Sequence, residues 1–280
     1  MSDVTIGYNG STIATMNTVG SIKLLTKNTI CDGNILISFV PPSPTRSVEV
    51  SYNGNVIASL TESGTKTLLV DEKYCNNNLL VNYKTSLPPE YREVEYLASS
   101  GTQYINLGFI PTNNTDFSCK LAVDSPADTP ALPRIFGGYT NASKRFEMYL
   151  VNNSSSTYRG IAFNYLVSTY FSYFVPTVGE PFTMSKTGTT FVAGTATTTL
   201  AATAMTGDAN FWLFATNRSG TDKFTGKVYS MTISDTSQNL SMNLVPCIRT
   251  ADNEPGMFDL VSGTFFTNSG TGEFTPGGAI

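Results

Sequence analysis

The sequence predicts an all-β protein, with two small tandem β modules followed by one large two-sheet β-sandwich. Charged residues make up 14% of the 280-residue chain, against about 25% in a typical soluble domain. Threonine, serine, asparagine and glycine take their place, which suits strands joined by tight turns. Apolar residues recur at alternate positions in many short segments, the period of a strand and not of a helix. With 40% hydrophobic residues the chain can form a packed core.

The first module is repeated once, which indicates an internal duplication. Residues 4–39 and 48–83 align without a gap at a spacing of 44, and 12 of the 36 positions are identical. Each copy begins with an alternating segment that ends at Asn-Gly, the strongest short hairpin signal, because both residues tolerate positive φ. Units of this size rarely fold alone. They are therefore expected to stack on each other, on the large domain or on copies in an oligomer.

Two proline-rich segments divide the chain. PPSP at 41–44 and SLPP at 86–89 contain prolines that fix φ and lack a backbone donor, so stiff spacers are expected there. The predicted domains are a β repeat at 1–40, a linker at 41–47, a second β repeat at 48–85 and a β-sandwich at 86–280. Cys31 and Cys75 occupy equivalent positions and are expected in the cores of separate units.

The last two thirds of the chain show the pattern of a sandwich. Most of its apolar segments alternate in polarity, as in YSMTI at 229–233, where the apolar side chains share one face. Many short strands with turn residues between them are typical of two packed sheets. The predicted strands are 104–109, 117–123, 134–139, 145–151, 160–165, 182–186, 190–193, 211–215, 226–234, 240–249 and 264–267.

Composition argues against several classes of protein. The net charge is −4 and no basic run occurs, so no nucleic acid is expected as a partner. No segment approaches the ~20 apolar residues of a membrane span, and the first residues do not resemble a signal peptide. The chain has no histidine and no closely spaced cysteines, so no zinc site is expected. No metal and no cofactor are assigned, and calcium binding is left open because no spacing of acidic residues singles out a site. The four cysteines are expected to be free, buried thiols, and a contact between Cys119 and Cys247 is left open.

The two ends of the large domain carry a family resemblance. Residues 87–109, LPPEYREVEYLASSGTQYINLGF, and 244–274, LVPCIRTADNEPGMFDLVSGTFFTNSGTGEF, resemble the opening and closing segments of concanavalin A-like, laminin-G-like domains common in phage and prophage proteins. KVYSM at 227–231 is similar to their penultimate strand, and the repeats resemble small β modules of virion proteins. The resemblance covers roughly residues 87–276. It implies a jelly-roll sandwich used for display or recognition on a virus particle.

Glucanases share this sandwich, so the acidic residues were compared with the arrangement that a glucanase requires. Glucanases place carboxylates at alternate positions of one strand. The nearest match is Glu93-Val94-Glu95, which lies at the domain start and is interpreted as a pair of solvated carboxylates. Without histidine, no Ser-His-Asp or Cys-His arrangement can form. No catalytic residue is predicted.

One segment has the composition of a sugar-binding surface. YLVSTYFSYF at 165–174 contains five aromatic residues in ten. Sugars stack on aromatic faces while a tyrosine hydroxyl hydrogen-bonds, so Tyr165, Tyr170 and Tyr173 are the candidate glycan-binding residues. The competing interpretation is core or subunit contact, which the same side chains serve. Trp212, flanked by apolar residues, is predicted to belong to the core.

The predicted function follows from the resemblance. The chain is expected to be a structural protein on the virion surface of a bacteriophage, as a tail fibre, a head fibre or a capsid decoration, assembled in the host cytoplasm. The sandwich would meet a host surface glycan or stabilise the particle, and the repeats would contact other virion proteins. A homo-oligomer, with a trimer favoured, is expected because short repeats gain core by association. The alternatives are a polysaccharide-cleaving glucanase-like enzyme and a bacterial surface adhesin module.

Overall fold

In the computed structural model the protein is all-β. All regular secondary structure among the described residues is β-strand. The protein forms two compact units, Met1–Pro89 and Glu90–Ile280. No helix long and apolar enough to cross a membrane occurs in the part of the chain that the structure describes. The structure describes residues 4–8, 11–16, 20–25, 34–39, 46–52, 55–60, 64–69, 78–85, 87–124, 132–152, 159–201, 204, 208–218 and 223–280.

The first unit consists of two four-stranded antiparallel sheets. Tyr8 pairs with Ser11, and Tyr52 pairs with Asn55, so a two-residue connection closes each hairpin, at the Asn-Gly signals of the sequence. The first sheet has the strand order β2-β1-β4-β7 and the second β3-β8-β5-β6. The strands are β1 (Val4–Tyr8), β2 (Ser11–Met16), β3 (Gly20–Leu25), β4 (Asn34–Phe39), β5 (Arg46–Tyr52), β6 (Asn55–Leu60), β7 (Gly64–Leu69) and β8 (Asn78–Thr85).

The two sequence repeats exchange one strand each. Strand β3, from the first repeat, pairs with β8 of the second, and β7, from the second repeat, pairs with β4 of the first. Each sheet therefore holds three strands of one repeat and one strand of the other. The two strands that cross over, GSIKLL and GTKTLL, are equivalent in the repeat alignment.

Connection length accounts for the exchange. Three residues separate Met16 of β2 from Gly20 of β3, and three separate Leu60 of β6 from Gly64 of β7. Such a connection spans at most about 14 Å when fully extended. To pair with β4 in its own sheet, β3 would have to start three strand spacings from β2, also about 14 Å away. The facing sheet is only about 10 Å away. The chain therefore crosses to the facing sheet more easily than it returns to its own.

The two sheets of this unit share one apolar core. Val4, Ile6 and Phe39 come from the first sheet, and Val48 and Val81 come from the second. All five side chains are buried, so the repeats stack on each other through alternate strand positions. Cys31, Cys75 and the proline-rich segment 41–44 lie outside the described residues, and the expectations for them stay predictions.

The second unit is a sandwich of a large sheet and a six-stranded small sheet. The large sheet has the order β19-β18-β17-β12-β21-β22-β23-β24, with β10 beside β21 and β25, and β9 beside β22. The small sheet has the order β11-β20-β13-β14-β15-β16. The strands are β9 (Tyr91–Glu93), β10 (Leu97–Ser100), β11 (Ile105–Asn106), β12 (Thr115–Val123), β13 (Arg134–Asn141), β14 (Lys144–Asn152), β15 (Arg159–Tyr165), β16 (Ser168–Phe171), β17 (Phe182–Thr187), β18 (Thr190–Ala193), β19 (Ala196–Thr199), β20 (Trp212–Leu213), β21 (Thr225–Asp235), β22 (Leu240–Arg249), β23 (Glu254–Asp259), β24 (Phe265–Phe266) and β25 (Thr275–Pro276).

Aromatic side chains dominate the core between these sheets. Phe117 of the large sheet packs edge-on against three rings of the small sheet, with ring centroids 5.1 Å from Phe136, 6.1 Å from Phe146 and 6.3 Å from Phe163. Edge-to-face pairs of this kind add to the stabilisation from area burial alone. They fix the spacing of the two sheets, and the outer face of the small sheet is thereby held on a rigid base.

The two described cysteines are free thiols of the large sheet. Cys119 on β12 belongs to the core between the sheets, whereas Cys247 on β22 is buried outside that cluster. Strand β21 lies between β12 and β22. Burial raises the pKa of the Cys119 thiol well above its usual range and raises the pKa of Cys247 to about 12. Both thiols therefore stay protonated and unreactive at neutral pH.

Asp235, the last residue of β21, is a buried carboxylate that binds the neighbouring turns. Asp235 accepts hydrogen bonds from the hydroxyls of Thr112 and Thr115 at 2.6 and 2.7 Å. It also accepts bonds from the Ser237 backbone and the Gln238 amide at 2.9 and 3.0 Å. Burial by itself raises the pKa of this carboxyl, but the hydrogen bonds outweigh it and lower the pKa well below the usual range.

This carboxylate predicts a pH dependence of stability. A lowered pKa in the folded state means that the unfolded chain binds the proton first as the pH falls. The contribution of Asp235 is therefore complete above the unfolded pKa of about 4 and declines below it. Asp235→Asn is expected to lower the free energy of unfolding at pH 7 by about 1–3 kcal/mol and to flatten its fall between about pH 4 and pH 2. Urea unfolding at several pH values measures both. An unchanged acid limb in the variant would contradict the assignment.

Candidate functional site

A row of residues crosses all six strands on the outer face of the small sheet. Consecutive register partners share a face of a sheet. Phe136, Met148 and Phe163, the neighbours of three members of the row, point into the core, so the row itself points outward. Its members, from β11 to β16, are Asn106, Trp212, Gly137, Glu147, Asn164 and Thr169.

Glu147 is the centre of a buried polar network in this row. Its side chain is 0% exposed. One carboxylate oxygen accepts a 2.7 Å bond from the Asn164 amide and a 3.2 Å bond from Nη1 of Arg218. The other oxygen accepts a 3.4 Å bond from the Thr216 hydroxyl. A buried carboxylate needs such partners, because removing it from water is otherwise unfavourable by several kcal/mol.

Arg134 is the second buried charge of the face. Its side chain is 5% exposed, with Nε 3.7 Å from Oε2 of Glu147, and the guanidinium lies over the Tyr149 ring at 4.0 Å. Nε and Nη1 of Arg134 have no hydrogen-bond partner among the residues that the structure describes. Burial lowers the pKa of Arg134, and the charge of Glu147 opposes that shift. The favourable contacts of this guanidinium are therefore the nearby carboxylate and the aromatic face.

A shallow cavity of about 340 Å³ opens beside this network. We call it the groove. Its lining combines an aromatic ring, an acid, an amide and a guanidinium, which are the side-chain types that contact sugar rings and hydroxyls. Arg218 belongs to both structures, because it binds Glu147 at 3.2 Å and lines the groove. The lining residues are Tyr139, Thr140, Asp208, Ala209, Asn217 and Arg218.

Hydrogen bonds hold the walls of the groove in place. Oδ1 of Asn217 accepts a 2.7 Å bond from the backbone nitrogen of Tyr139. The guanidinium of Arg218 stacks over the Tyr139 ring at 4.5 Å. Asp208 pairs with Nζ of Lys144 at 2.7 Å, and its backbone nitrogen donates to the Thr140 hydroxyl at 3.3 Å. The segments before and after β20 are thus both tied to the β13–β14 hairpin on the outer face.

Gly137 allows the strands under this face to approach closely. Its φ is +130°, and a Cβ at this position would lie 1.9 Å from the backbone oxygen of Phe146 and 2.7 Å from the Cα of Glu147. Both atoms belong to the backbone of β14, so neither can move aside easily. Gly137 is therefore required where the row crosses from β13 to β14.

Trp212 is half-buried on the outer face, and the prediction that it belongs to the core is wrong. Its neighbours Phe211 and Leu213 take the inward positions of the strand, so strict alternation turns the indole outward. The Trp212 ring stacks on Tyr104, with centroids 4.1 Å apart and planes at 18°. Apolar residues on both sides of Trp212 gave no information on which face it takes.

The three tyrosines chosen from the sequence do not form one surface. Tyr165 is 3% exposed and packs in the core against Phe146 and Phe163, so its ring is not accessible to a sugar. Burial, followed by the proximity of Tyr170, raises the pKa of Tyr165. Tyr170 packs against the same core, and its hydroxyl accepts a 2.9 Å bond from the Ala201 backbone. Tyr173 is 65% exposed.

The acidic pair at the domain start lies on the surface. Glu93 and Glu95 are both exposed, on either side of the buried Val94, as in the interpretation of solvated carboxylates. Partial burial raises the pKa of Glu93. Among the described residues, no group of three or more Cys, Asp or Glu side chains is arranged to hold a metal ion.

Sequence reasoning missed every lining residue of the groove. One signal was present, because Glu147 interrupts the apolar run FEMYLV of β14, and a charge inside a buried strand indicates a paired site. Asp208, Asn217 and Arg218 gave no such signal, since they lie outside the strands. Only the folded chain brings them beside β13.

The sequence matches no family model and no curated protein. A crystal structure of a Bacteroides ovatus protein, provisionally described as carbohydrate-binding, is similar at 10% identity and a TM-score of 0.45, over 93% of this chain and 94% of that one. The full extracellular region of zebrafish Gpr126/Adgrg6 is similar at 10% identity and a TM-score of 0.38, over 98% of this chain and 40% of that one. At these scores, neither similarity bears on what the chain binds.

Proposed function

We propose that the protein is a non-catalytic, glycan-binding structural component of a bacteriophage virion surface, and that the groove is its glycan site. The observation that carries the glycan part is the groove itself, where Tyr139, Asp208, Asn217 and Arg218 line a cavity of about 340 Å³. The virion part is supported by the resemblance of residues 87–109 and 244–274 to phage domains, and by the tandem repeats.

The chemistry of the lining fits a sugar. The Asp208 carboxylate accepts bonds from hydroxyls, the Asn217 amide donates and accepts, and the Arg218 guanidinium donates. The Tyr139 ring supplies an apolar surface for the C–H face of a pyranose. A volume of about 340 Å³ is within the usual range of small-ligand sites, about 300–1,000 Å³, and suits the end of a glycan chain.

Binding without cleavage is the proposal because the central carboxylate is sequestered. Glycosidases need two carboxyl groups that reach the glycosidic bond from opposite sides. Glu147 is 0% exposed, and its two oxygens are occupied by Asn164, Arg218 and Thr216. Asp208 is exposed and paired with Lys144.

In this proposal the strand-exchanged first unit attaches the protein to other virion proteins, and the sandwich is displayed at the particle surface. A homo-oligomer, with a trimer favoured, follows from the role of a virion part. Light scattering of the purified full-length chain at micromolar concentration measures the mass. A monomer would count against this part of the proposal.

The glycan site is tested by binding of the full-length protein to an array of bacterial surface polysaccharides and oligosaccharides. Tyr139→Ala and Asp208→Ala are each expected to weaken binding by at least about tenfold, the effect of losing one well-placed contact in a small site. Tyr173→Ala is the matched control, because this tyrosine is 65% exposed and does not line the groove. Calorimetric titration of the best array ligand provides the dissociation constants.

The outcomes separate the competing hypotheses. If Tyr173→Ala loses binding and Tyr139→Ala binds as tightly as the native protein, the glycan site lies in the aromatic segment 165–174 and not in the groove. Release of new reducing ends from the bound polysaccharide would favour the glucanase-like alternative. Absence of binding by the folded oligomer would contradict a glycan site and leave an assembly or decoration role.

A further inference from the structure

We propose that the segment after β16 is the contact surface between copies of this chain, with Tyr173, Val175 and Val178 at its centre. We call these three residues the apolar rim. The inference rests on the homo-oligomer of the proposed function and adds the surface that holds it together. It is carried by the exposure of the rim, by the backbone that presents it and by the uncharged chain around it.

The apolar rim is exposed although residues next to it are buried. Tyr173, Val175 and Val178 are 65%, 51% and 47% exposed. Ser172 and Pro176, which lie beside them in the chain, are both buried. Single apolar side chains on a surface are ordinary, whereas a group of large ones in a short segment indicates a contact site.

Buried neighbours hold the rim in one conformation. Tyr173 has a φ of +56°, in the left-handed region that is unfavourable for a residue with a Cβ. The Ser172 nitrogen and hydroxyl both donate to the Ile161 carbonyl, at 3.0 and 3.2 Å. On the other side, the Phe174 ring packs against Phe182 with centroids 5.0 Å apart. An exposed tyrosine on such a fixed backbone loses little conformational freedom on binding, as interface anchors do.

Two uncharged stretches of chain meet at this side of the sandwich. Residues 160–179 and 187–207 contain no Asp, Glu, Lys or Arg. They carry β16 and β19, the edge strands of the two sheets. The Thr198 hydroxyl of β19 donates a 3.1 Å bond to the Phe171 carbonyl of β16. The rim therefore belongs to a part of the domain whose own chain supplies no charge.

A second copy of the chain is the partner that this charge pattern favours. The chain has a net charge of −4, so copies repel one another except where uncharged surfaces meet. A surface close to a rotation axis contacts its own copies, and an uncharged surface is complementary to itself. Tyrosine is enriched in the centre of protein contacts and charged residues are depleted there, which is the composition of the rim.

The test measures the mass of the full-length protein by light scattering and sedimentation at micromolar concentration. Val175→Lys and Val178→Lys each place in the contact an ammonium group that has no partner there. Each is expected to raise the dissociation constant of the oligomer at least about tenfold, although added lysine lowers the net negative charge. Circular dichroism verifies that the exposed substitutions leave the fold intact.

The matched control is Val261→Lys. Val261 is 42% exposed and lies outside both uncharged stretches. The control makes the same substitution and the same change of net charge, and it is expected to keep the native mass. Val175→Thr removes apolar surface with little change of shape, and is expected to weaken the oligomer less than Val175→Lys.

The outcomes separate this inference from the proposed function. If the native chain is an oligomer and neither rim lysine changes its mass, the inference is overturned and the glycan groove is unaffected. A monomeric native chain contradicts the inference together with the oligomer part of the proposal. Rim variants that dissociate are expected to bind the best oligosaccharide of the glycan array as tightly as the native protein. Rim variants that keep the native mass and lose that binding would make the rim a glycan contact, which also overturns the inference.

Discussion

Replacing Glu147 with glutamine is expected to lower the free energy of unfolding by about 3–5 kcal/mol, the range for breaking a buried ion pair by removing one partner. The substitution keeps the shape of the side chain and an oxygen for the Asn164 amide, which lies 2.7 Å away. It removes the charge that compensates Arg134, which stays 4% exposed. Among the described residues, no other carboxylate forms an ion pair with Arg134. The cost is therefore the electrostatic cost of a buried, uncompensated guanidinium.

A double-mutant cycle separates this cost from the loss of packing. Arg134→Met removes the buried cation and leaves Glu147 with Asn164 and Arg218. The combined Arg134→Met and Glu147→Gln variant is expected to be more stable than the sum of the two single changes predicts. Chemical denaturation followed by fluorescence of the single tryptophan, Trp212 on the same face, provides all four values.

The control variant for Glu147 is Asp208→Asn. Asp208 is also a carboxylate paired with a cation on this side of the sheet, but it is 59% exposed and Lys144 is 44% exposed. Exposed ion pairs contribute only about 0–1 kcal/mol, so this variant is expected to be nearly as stable as the native protein. If Glu147→Gln costs no more than Asp208→Asn, the buried network does not stabilise the sandwich as we describe.

The sequence was enough for the fold class and for the longest strands of the sandwich, because alternation is a local property, but it did not predict β10, β16, β19 or β23. The pattern at 145–151 predicted a strand, and β14 spans Lys144–Asn152. The same pattern did not show that its outer face is buried too. Glu147 and Tyr149 are covered on the outer face while Met148 and Leu150 fill the core. Alternation separates two faces of a strand but does not say what packs on each.

The candidate site was beyond the reach of local patterns for a related reason. The aromatic density at 165–174 suggested a sugar platform, yet Tyr165 and Tyr170 continue the core-facing positions of β15 and β16. The groove instead combines β13 with residues 208–218, which are about 70 positions further along the chain. Contacts at such separation depend on the complete strand order, which no single segment encodes.

The exchange of strands in the first unit was hidden by the duplication itself. The two repeats have equivalent edges, so β3 and β7 have two chemically similar partners each, and their own sequences do not select between β4 and β8. Connection length favours the exchange, because three residues reach the facing sheet with slack but reach the far edge of the same sheet only when fully extended. The structure accordingly shows an intramolecular version of a domain-swapped pair.

This arrangement predicts that one repeat cannot fold as a monomer. A chain of residues 1–45 keeps β1, β2 and β4 but lacks β7, and its own β3 has lost its partner β8. It also loses the half of the core that Val48, Val50 and Val81 supply. At about 25 cal/mol per Å² of apolar surface, the remaining burial is too small to offset the conformational entropy of so short a chain. The fragment is expected to be unfolded by circular dichroism at low micromolar concentration.

Concentration distinguishes this explanation from simple instability. Two copies of residues 1–45 can rebuild the eight-strand unit, because β3 (GSIKLL) can take the position of the equivalent β7 (GTKTLL). β-Sheet signal and dimer mass are therefore expected to rise together with concentration in sedimentation experiments. Residues 1–89 are the control and are expected to fold at every concentration, since both exchanged strands and the whole core are present. A folded monomer of residues 1–45 would show that β3 can return to its own sheet. In that case the short connection is not what directs the exchange.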